Sequence, residues 1–274
     1  MAADKKRTDL TEEEIKKAEK SRKTLHATIK VLCLVLILSA IPAILYNPDL
    51  SLGPFDFLRQ EFFKTELVLT GEKFSSDGFI HTIRSTDMRK IKLYIRSGAN
   101  VDAMGKLGVS PLCAAAQTGN IDAVNVLLDA NANILQKNAS NGLTPVFCAI
   151  EGNNIEILEK LLDEGVSIRT RTEQGLSMVQ YASLLGREQM LSYLLTKGAD
   201  PNMQNMYGQT ALHYAVTQDN SYILNILLSA GALVDVVDIR GNSPIDLAQK
   251  LDKQSYVRQL SRYSTRGYID TEQQ

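Results

Sequence analysis

The side chains that could act as nucleophiles or bind a transition metal are few and scattered. They are three cysteines and three histidines, Cys33, Cys113, Cys148, His26, His81 and His213. Three cysteines are too few for a disulfide scaffold, and three histidines leave little material for a metal site. The acidic residues show no convergent pair for acid–base chemistry, and the glycines do not cluster as in a phosphate-binding loop. We therefore predict no enzyme, metal, cofactor or small-molecule substrate.

The composition is that of an ordinary globular protein and excludes some partners. Of 274 residues, 44% are apolar and 22% charged, and the formal net charge is −1. A nucleic-acid-binding protein is expected to be basic or to carry a basic face. The sequence therefore predicts no nucleic-acid partner.

The first segment, residues 1–23, is rich in charge and predicts a solvated helix. Thr11 followed by Glu14 forms a capping box, which satisfies free backbone N–H groups at a helix start. Glu19 and Lys23 form a favourably oriented i,i+4 pair.

The second segment, residues 24–46, is predicted to be a transmembrane anchor. Its central run Val31–Leu45 has no charge. That run alone spans only roughly 22 Å, less than the ~30 Å hydrocarbon core, and the upstream apolar residues make up the difference. Lys30 is placed to reach the headgroups, and Tyr46 occupies an interfacial position.

Two other interpretations of this apolar segment are less favoured. A cleaved signal peptide has an apolar core of this length, but its basic leader is normally short, and the best cleavage site, near Ala43, is poor. A buried helix of a globular domain is also this apolar, but the stack of repeats described below has no position in which such a helix would be buried. An uncleaved single-pass anchor is the favoured prediction.

The distribution of basic residues predicts the orientation of this anchor. Nine Lys or Arg residues lie in the first thirty positions, whereas only Arg59 and Lys64 follow in the next twenty after the apolar run. The positive-inside rule places such an N-terminus in the cytoplasm and the rest of the chain on the other side, in the periplasm if the cell is bacterial.

The remaining two thirds of the chain repeat with a period of about 33 residues. Five glycines separated by 34, 33, 33 and 33 residues mark the period, Gly108, Gly142, Gly175, Gly208 and Gly241. Similar segments follow each glycine, such as SPLCAAAQTGN and TALHYAVTQDN, and a Gly-Ala or related pair ends each unit. Apolar residues at helical spacing lie between the two patterns. Since no such unit can bury its apolar face alone, we predict a stack of two-helix repeats.

The repeated segment resembles the ankyrin repeat. Thr210, Ala211, Leu212 and His213 match the T-P-L-H motif with Ala in place of Pro, and the pair Leu194–Leu195 before Gly198 matches the repeat end. The resemblance covers about residues 75–262. It implies an all-α solenoid of helix-turn-helix units with hairpin fingers, here preceded by the N-terminal helix and one transmembrane helix.

The resemblance also implies domain boundaries and residue roles. The predicted segments are the cytoplasmic helix 1–23, the anchor 24–46, a linker 47–74 with a short helix around 57–67, an N-terminal cap 75–107, repeats 108–141, 142–174, 175–207 and 208–240, a C-terminal cap 241–262, and a disordered tail 263–274. His213 is expected to make hydrogen bonds within the turn network. Cys113 and Cys148 are expected to be small buried residues, too far apart for a disulfide, because packed helices lie ~8–10 Å apart.

Ankyrin domains usually bind protein partners through the fingers and the first-helix face. Carried onto this sequence, that surface predicts the partner-binding set Leu107, Val109, Gln117, Asn141, Leu143, Glu151, Gln174, Leu176, Leu184, Met206, Tyr207, Gln209, Thr217 and Arg240. The apolar members form either an exposed stripe, as at many protein interfaces, or packing between neighbouring fingers. An exposed stripe predicts that Leu143→Asp with Leu176→Asp abolishes partner capture without unfolding.

These observations predict a protein-interaction module tethered to a membrane by one N-terminal helix. The alternative is an ankyrin effector or adaptor whose repeats face the cytosol or are delivered into a host cell. A regulatory role for a catalytic segment within 47–74 is disfavoured because about 28 residues are too few for a catalytic domain. Self-association through the anchor or the apolar stripe is a further structural alternative.

Overall fold

The helices of this protein are short and come in pairs. The computed structural model describes residues 56–69, 71 and 74–264. The described helices are numbered here in chain order as α1 Asp56–Leu69, α2 Ser76–Arg84, α3 Met88–Arg96, α4 Pro111–Thr118, α5 Ile121–Asp129, α6 Pro145–Glu151, α7 Ile155–Asp163, α8 Met178–Leu184, α9 Glu188–Thr196, α10 Ala211–Thr217, α11 Ser221–Ser229, α12 Pro244–Lys250 and α13 Gln254–Ser261.

The helix α1 lies in the predicted linker, where a short helix was expected. The division between two compact units falls within it, after Glu66. None of the described helices is both long and apolar enough to cross a membrane. The predicted cytoplasmic helix 1–23, the anchor 24–46 and most of the predicted tail, 265–274, lie outside the described residues.

The helices α2 to α13 form six pairs, one in each predicted repeat or cap. Each first helix begins after a Ser or Thr in extended conformation, as at Ser75, Ser110 and Ser177, whose hydroxyls accept a backbone N–H bond. Pro111 and Pro145 occupy the first helical position, where a missing N–H costs nothing. The segment 75–107 therefore has a complete helix pair although it lacks the T-P-L-H motif.

The pairs stack in two layers. The first helices α2, α4, α6, α8, α10 and α12 pack against one another in an unbroken series. In the second layer α3 packs on α5, α5 on α7, and α9 on α11. Apolar side chains at helical spacing, such as Leu127, Leu161, Leu194 and Leu227, are fully buried between the layers. Their burial supplies the stability that no single repeat could have.

A hairpin finger connects each second helix to the next first helix. The finger turns are closed by backbone hydrogen bonds from Gly105 to Val109, Thr172 to Leu176, Asn205 to Gln209 and Asp238 to Asn242, each spanning four residues. The corresponding bond from Asn138 to Leu143 spans five. This longer turn accounts for the one spacing of 34 residues among the repeat glycines.

The distance between Cys113 and Cys148 corrects the prediction that they cannot bond. Their Cα atoms are 5.4 Å apart, and the two side chains form a disulfide between α4 and α6. The predicted distance was that between helix axes, whereas facing Cα atoms lie roughly 4.6 Å closer, twice the ~2.3 Å radius of the Cα cylinder. Small residues on α4, Ala114 to Ala116, allow this close approach. The predicted burial of both cysteines is confirmed.

Candidate partner-binding surface

Two of the fingers are held in place by the side chain at the fourth position of the T-P-L-H motif. In the repeat 208–240 this is His213, which is buried. Its Nδ1 accepts a hydrogen bond from the Thr210 backbone N–H at 3.1 Å, which leaves Nε2 as the protonated nitrogen that donates to the Asn242 carbonyl at 3.0 Å. Burial lowers the pKa of His213, so the imidazole is neutral. The predicted structural role of His213 is confirmed.

Gln180 reproduces this arrangement in the preceding repeat. Its Oε1 accepts from the Ser177 N–H at 2.8 Å, and its Nε2 donates to the Gln209 carbonyl. Asn242 and Gln209 each directly follow a turn glycine. In both repeats, the side chain at this motif position therefore links a first helix to the base of the next finger by a hydrogen bond.

The predicted partner-binding residues differ in their exposure. Those exposed to solvent are Leu107, Gln117, Asn141, Gln174, Met206, Tyr207, Thr217 and Arg240. Those of intermediate exposure are Val109, Glu151, Leu184 and Gln209, and those buried are Leu143 and Leu176.

The burial of Leu143 and Leu176 decides between the two interpretations of the apolar stripe. They are only 5% and 8% exposed, so they pack within the stack and offer no surface to a partner. The prediction that Asp at both positions leaves the stack folded is therefore wrong, because the two carboxylates would be buried. The residue that follows a turn glycine points inward in these two repeats.

Several exposed apolar side chains lie at the finger tips instead. Met206 and Tyr207 on one finger and Ile239 on the next are each more than half exposed. The two fingers are joined by a hydrogen bond from the Ile239 N–H to the Tyr207 carbonyl at 3.0 Å. We call Met206, Tyr207 and Ile239 the finger cluster. Ile239 was not in the predicted set, although its position two residues before Gly241 matches that of Met206 before Gly208.

The sequence comparisons agree with this geometry. A sequence model described as ankyrin repeats (3 copies) matches residues 80–172 and 167–238, together more than half of the chain.

The chain belongs to the ankyrin repeat family.

Curated relatives share only part of their length with this ankyrin protein. The inactive serine/threonine-protein kinase TEX14 of Bos taurus is 36% identical over 36% of this chain and 7% of its own length. The NF-kappa-B inhibitor cactus of Drosophila melanogaster is 35% identical over 28% and 16%. The ankyrin repeat, SAM and basic leucine zipper domain-containing protein 1 of Dasypus novemcinctus is 28% identical over 47% and 27%. The chain thus spans about a quarter or less of each.

One solved structure shares the fold over most of the repeats. It is a complex of a predatory endopeptidase from Bdellovibrio bacteriovorus with an immunity protein. One chain of it aligns with a TM-score of 0.60 at 24% identity, covering 69% of this ankyrin protein and 98% of that chain. At this identity the likeness shows the fold alone.

A polar line crosses the ends of three first helices of the ankyrin stack. Glu151 accepts hydrogen bonds from Gln117 Nε2 at 3.0 Å and from the Tyr181 hydroxyl at 3.2 Å. The Tyr181 ring packs edge-on against Phe147, with centroids 5.4 Å apart. Burial, together with the Glu151 carboxylate, raises the pKa of the Tyr181 phenol, which therefore stays protonated as a donor. Tyr181 therefore positions the Glu151 carboxylate through this hydrogen bond, while its own ring is held by packing.

The described residues offer no alternative site for metal chemistry. Within residues 56–69, 71 and 74–264, no group of three or more His, Cys, Asp or Glu side chains could hold a metal ion. His81 is exposed on α2, whereas His213 is buried on α10. What this domain presents is a set of ordered fingers and first-helix ends, as an interaction module does.

Proposed function

We propose that this protein holds a protein partner on the finger and first-helix surface of its ankyrin stack while a single N-terminal helix tethers it to a membrane. The observation that carries the proposal is the finger cluster Met206, Tyr207 and Ile239. These apolar side chains are exposed on two fingers fixed by backbone hydrogen bonds. Aromatic residues and Met are enriched at protein interfaces, and a backbone that is already fixed loses little entropy on binding.

Charged and polar residues add to a surface suited to a protein. Arg240 is exposed on the finger of Ile239, Gln174 is exposed on the finger before that of Met206 and Tyr207, and Gln117 and Glu151 form a hydrogen-bonded line on the first-helix side. An apolar centre with a polar rim is the usual anatomy of a protein interface. The name of one similar protein, an NF-kappa-B inhibitor, supports a protein partner.

Affinity capture of the full-length chain from its own cells tests the partner-binding surface. Met206→Asp with Tyr207→Asp should abolish recovery of the captured protein, because two carboxylates would have to be desolvated at the interface. Tyr222→Asp is the control, since Tyr222 is at least as exposed as Met206 and Tyr207 but lies on the second helix α11. Undiminished capture by the finger variant would refute the proposed surface, and sedimentation would show whether the captured protein is a second copy of this chain.

The membrane tether in this proposal rests on the sequence of residues 24–46. The charge-free run Val31–Leu45, preceded by nine basic residues, supports an anchor with a cytoplasmic N-terminus and a non-cytoplasmic ankyrin domain. Reporters that are active only outside or only inside the cytoplasm, fused after Gln274, test this orientation. An outside signal is expected. An inside signal would support the alternative function, a cytosol-facing adaptor or an effector directed to a host cell.

A further inference from the structure

The first helices of two consecutive repeats are linked covalently. The Cys113–Cys148 disulfide joins α4 to α6 across the boundary between repeats 108–141 and 142–174. Cys113 is 0% exposed and Cys148 2% exposed. A Cα separation of 5.4 Å lies within the range of protein disulfides, so the two helices reach it in their ordinary packed positions.

The polar groups around the two sulfurs are satisfied without any thiol proton. The Leu143 carbonyl, 3.6 Å from Cys113 Sγ, already accepts the Asn138 backbone N–H at 2.8 Å. The Asn138 side chain accepts the Ser110 N–H at 2.9 Å through Oδ1 and directs Nδ2 at Cys148 Sγ, an acceptor role that a disulfide sulfur retains. Oxidation of the pair therefore leaves neither the Leu143 carbonyl nor the Asn138 side chain without a partner.

The environment of the cysteine pair does not match that of a reversible redox sensor. Sensor cysteines are solvent-accessible and lie in electropositive surroundings. Here both sulfurs are closed to solvent, and the flanking Leu112, Ala114, Phe147 and Ala149 are buried apolar side chains. A dissolved thiol or disulfide cannot approach either sulfur while the two repeats are stacked.

We propose that Cys113 and Cys148 are oxidised to a permanent disulfide before repeats 108–141 and 142–174 stack, so that the ankyrin domain matures in an oxidising compartment. The two thiols lose two protons and two electrons. A second disulfide, that of a dithiol–disulfide oxidoreductase or a small-molecule disulfide, takes them up and becomes two thiols through a mixed-disulfide intermediate. Stacking then buries the new bond. Such bonds are rare where thiols are kept reduced.

The disulfide closes a loop that contains the whole finger between α4 and α6. Its ends are 35 residues apart in sequence. Cross-linking a loop of this size restricts the unfolded chain, and on that basis reduction and refolding should lower the midpoint of thermal unfolding by about 5–15 °C. The inference does not depend on partner binding. It gives the proposed non-cytoplasmic orientation an independent check.

The test is peptide mapping of the full-length chain taken from its own cells. Cells are quenched in acid, and the protein is denatured and alkylated without reductant. Cys113 and Cys148 should be unlabelled and joined in one cross-linked peptide, with the labelling of Cys33 as an internal control. Alkylation of Cys113 and Cys148 as free thiols would overturn the proposal, even if partner capture and membrane orientation are as proposed.

A second measurement tests the stabilising role. The unfolding midpoint of the unsubstituted chain should fall after reduction and refolding. Cys113→Ala with Cys148→Ala should show the lower midpoint with or without reductant, and Cys33→Ser should behave as the unsubstituted chain. If reduction leaves the unsubstituted midpoint unchanged, the bond does not stabilise the stack. The mapping uses the unsubstituted chain, so it remains decisive if the double variant fails to fold.

Discussion

The hydrogen bonds of His213 make a quantitative prediction about how the stack is held together. His213→Ala removes the acceptor of the Thr210 N–H and the donor to the Asn242 carbonyl. The carbonyl keeps a second donor, the Asp238 N–H at 2.9 Å, whereas the described contacts give the Thr210 N–H no other acceptor. His213→Gln should preserve both bonds, because Gln180 makes them at the same motif position one repeat earlier.

The expected free-energy changes follow from these contacts. Alanine leaves one buried N–H unpaired, which costs about 1–3 kcal/mol, and it also leaves a cavity where the ring was buried. The sum is about 2–4 kcal/mol of lost unfolding free energy. Glutamine should lose less than about 1 kcal/mol, because it restores both hydrogen bonds and only the fit of the side chain changes.

The free energy of unfolding should also depend on pH through His213. The folded pKa of His213 is lowered by burial, so the unfolded chain binds a proton more readily than the folded one. The contribution of His213 to the free energy of unfolding is therefore fully present above the unfolded pKa of about 6.5. It falls as the pH drops below that value, by at most about 1.4 kcal/mol per pH unit. His213→Gln should lack this component, and His81→Gln, at an exposed histidine, should retain it.

Urea unfolding followed by far-ultraviolet circular dichroism at pH 7.5 and 5.5 measures all of these quantities. Equal losses for His213→Ala and His213→Gln would refute the hydrogen-bonding role of this position. An unchanged pH dependence in His213→Gln would refute the neutral buried imidazole. Partner capture by His213→Gln should equal that of the unsubstituted chain, since the finger geometry is preserved.

Two further predictions concern packing and the turns. Leu143→Asp should lower the unfolding free energy by more than about 3 kcal/mol, because a carboxylate replaces a side chain that is 5% exposed; Leu107→Asp, at a 71% exposed position, should change it by less than about 0.5 kcal/mol in the same urea titration. Gly108→Ala should cost at least about 1 kcal/mol by thermal unfolding, because φ is +66° and a Cβ would lie 2.9 Å from the Ser140 nitrogen. Gly241→Ala is the control for φ strain alone, since its φ is +76° and no atom lies within 4 Å of the added Cβ; a smaller loss at Gly108 than at Gly241 would contradict the steric argument.

The repeat architecture could be predicted because its signals are local and recur. A Ser or Thr cap, a following Pro such as Pro111, and a closing Gly such as Gly198 each satisfy or remove a specific backbone group. The helix pair in 75–107 shows that a cap alone suffices, because Ser75 starts α2 without the rest of the motif. The two layers of helices follow because each helix pair has one apolar face, which it buries against the neighbouring pairs.

The exposure of individual finger residues could not be predicted from repeat position alone. Leu143 and Val109 both follow a turn glycine, yet one is buried and the other half-buried. Between them lies the longer turn that Asn138 closes onto Leu143. The disulfide was missed for another reason, since the predicted distance was that between helix axes and the facing Cα atoms of Cys113 and Cys148 lie closer, at 5.4 Å.

The motif position of His213 also shows how the stack tolerates a residue that cannot make the usual bonds. In repeat 142–174 that position holds Phe147, which has no hydrogen-bonding group. The next finger is instead held by its own residues: Thr172 Oγ1 accepts the Leu176 N–H at 3.1 Å, and Arg171 donates to the Gly175 carbonyl at 3.0 Å and to the Gln204 carbonyl at 2.7 Å. The aromatic ring contributes through its edge-on contact with Tyr181, and the neighbouring Cys148 provides the covalent link to α4. Hydrogen bonds of the finger's own residues, together with apolar and covalent contacts, therefore hold repeat 142–174, whereas repeats 175–207 and 208–240 rely on the hydrogen bonds of Gln180 and His213.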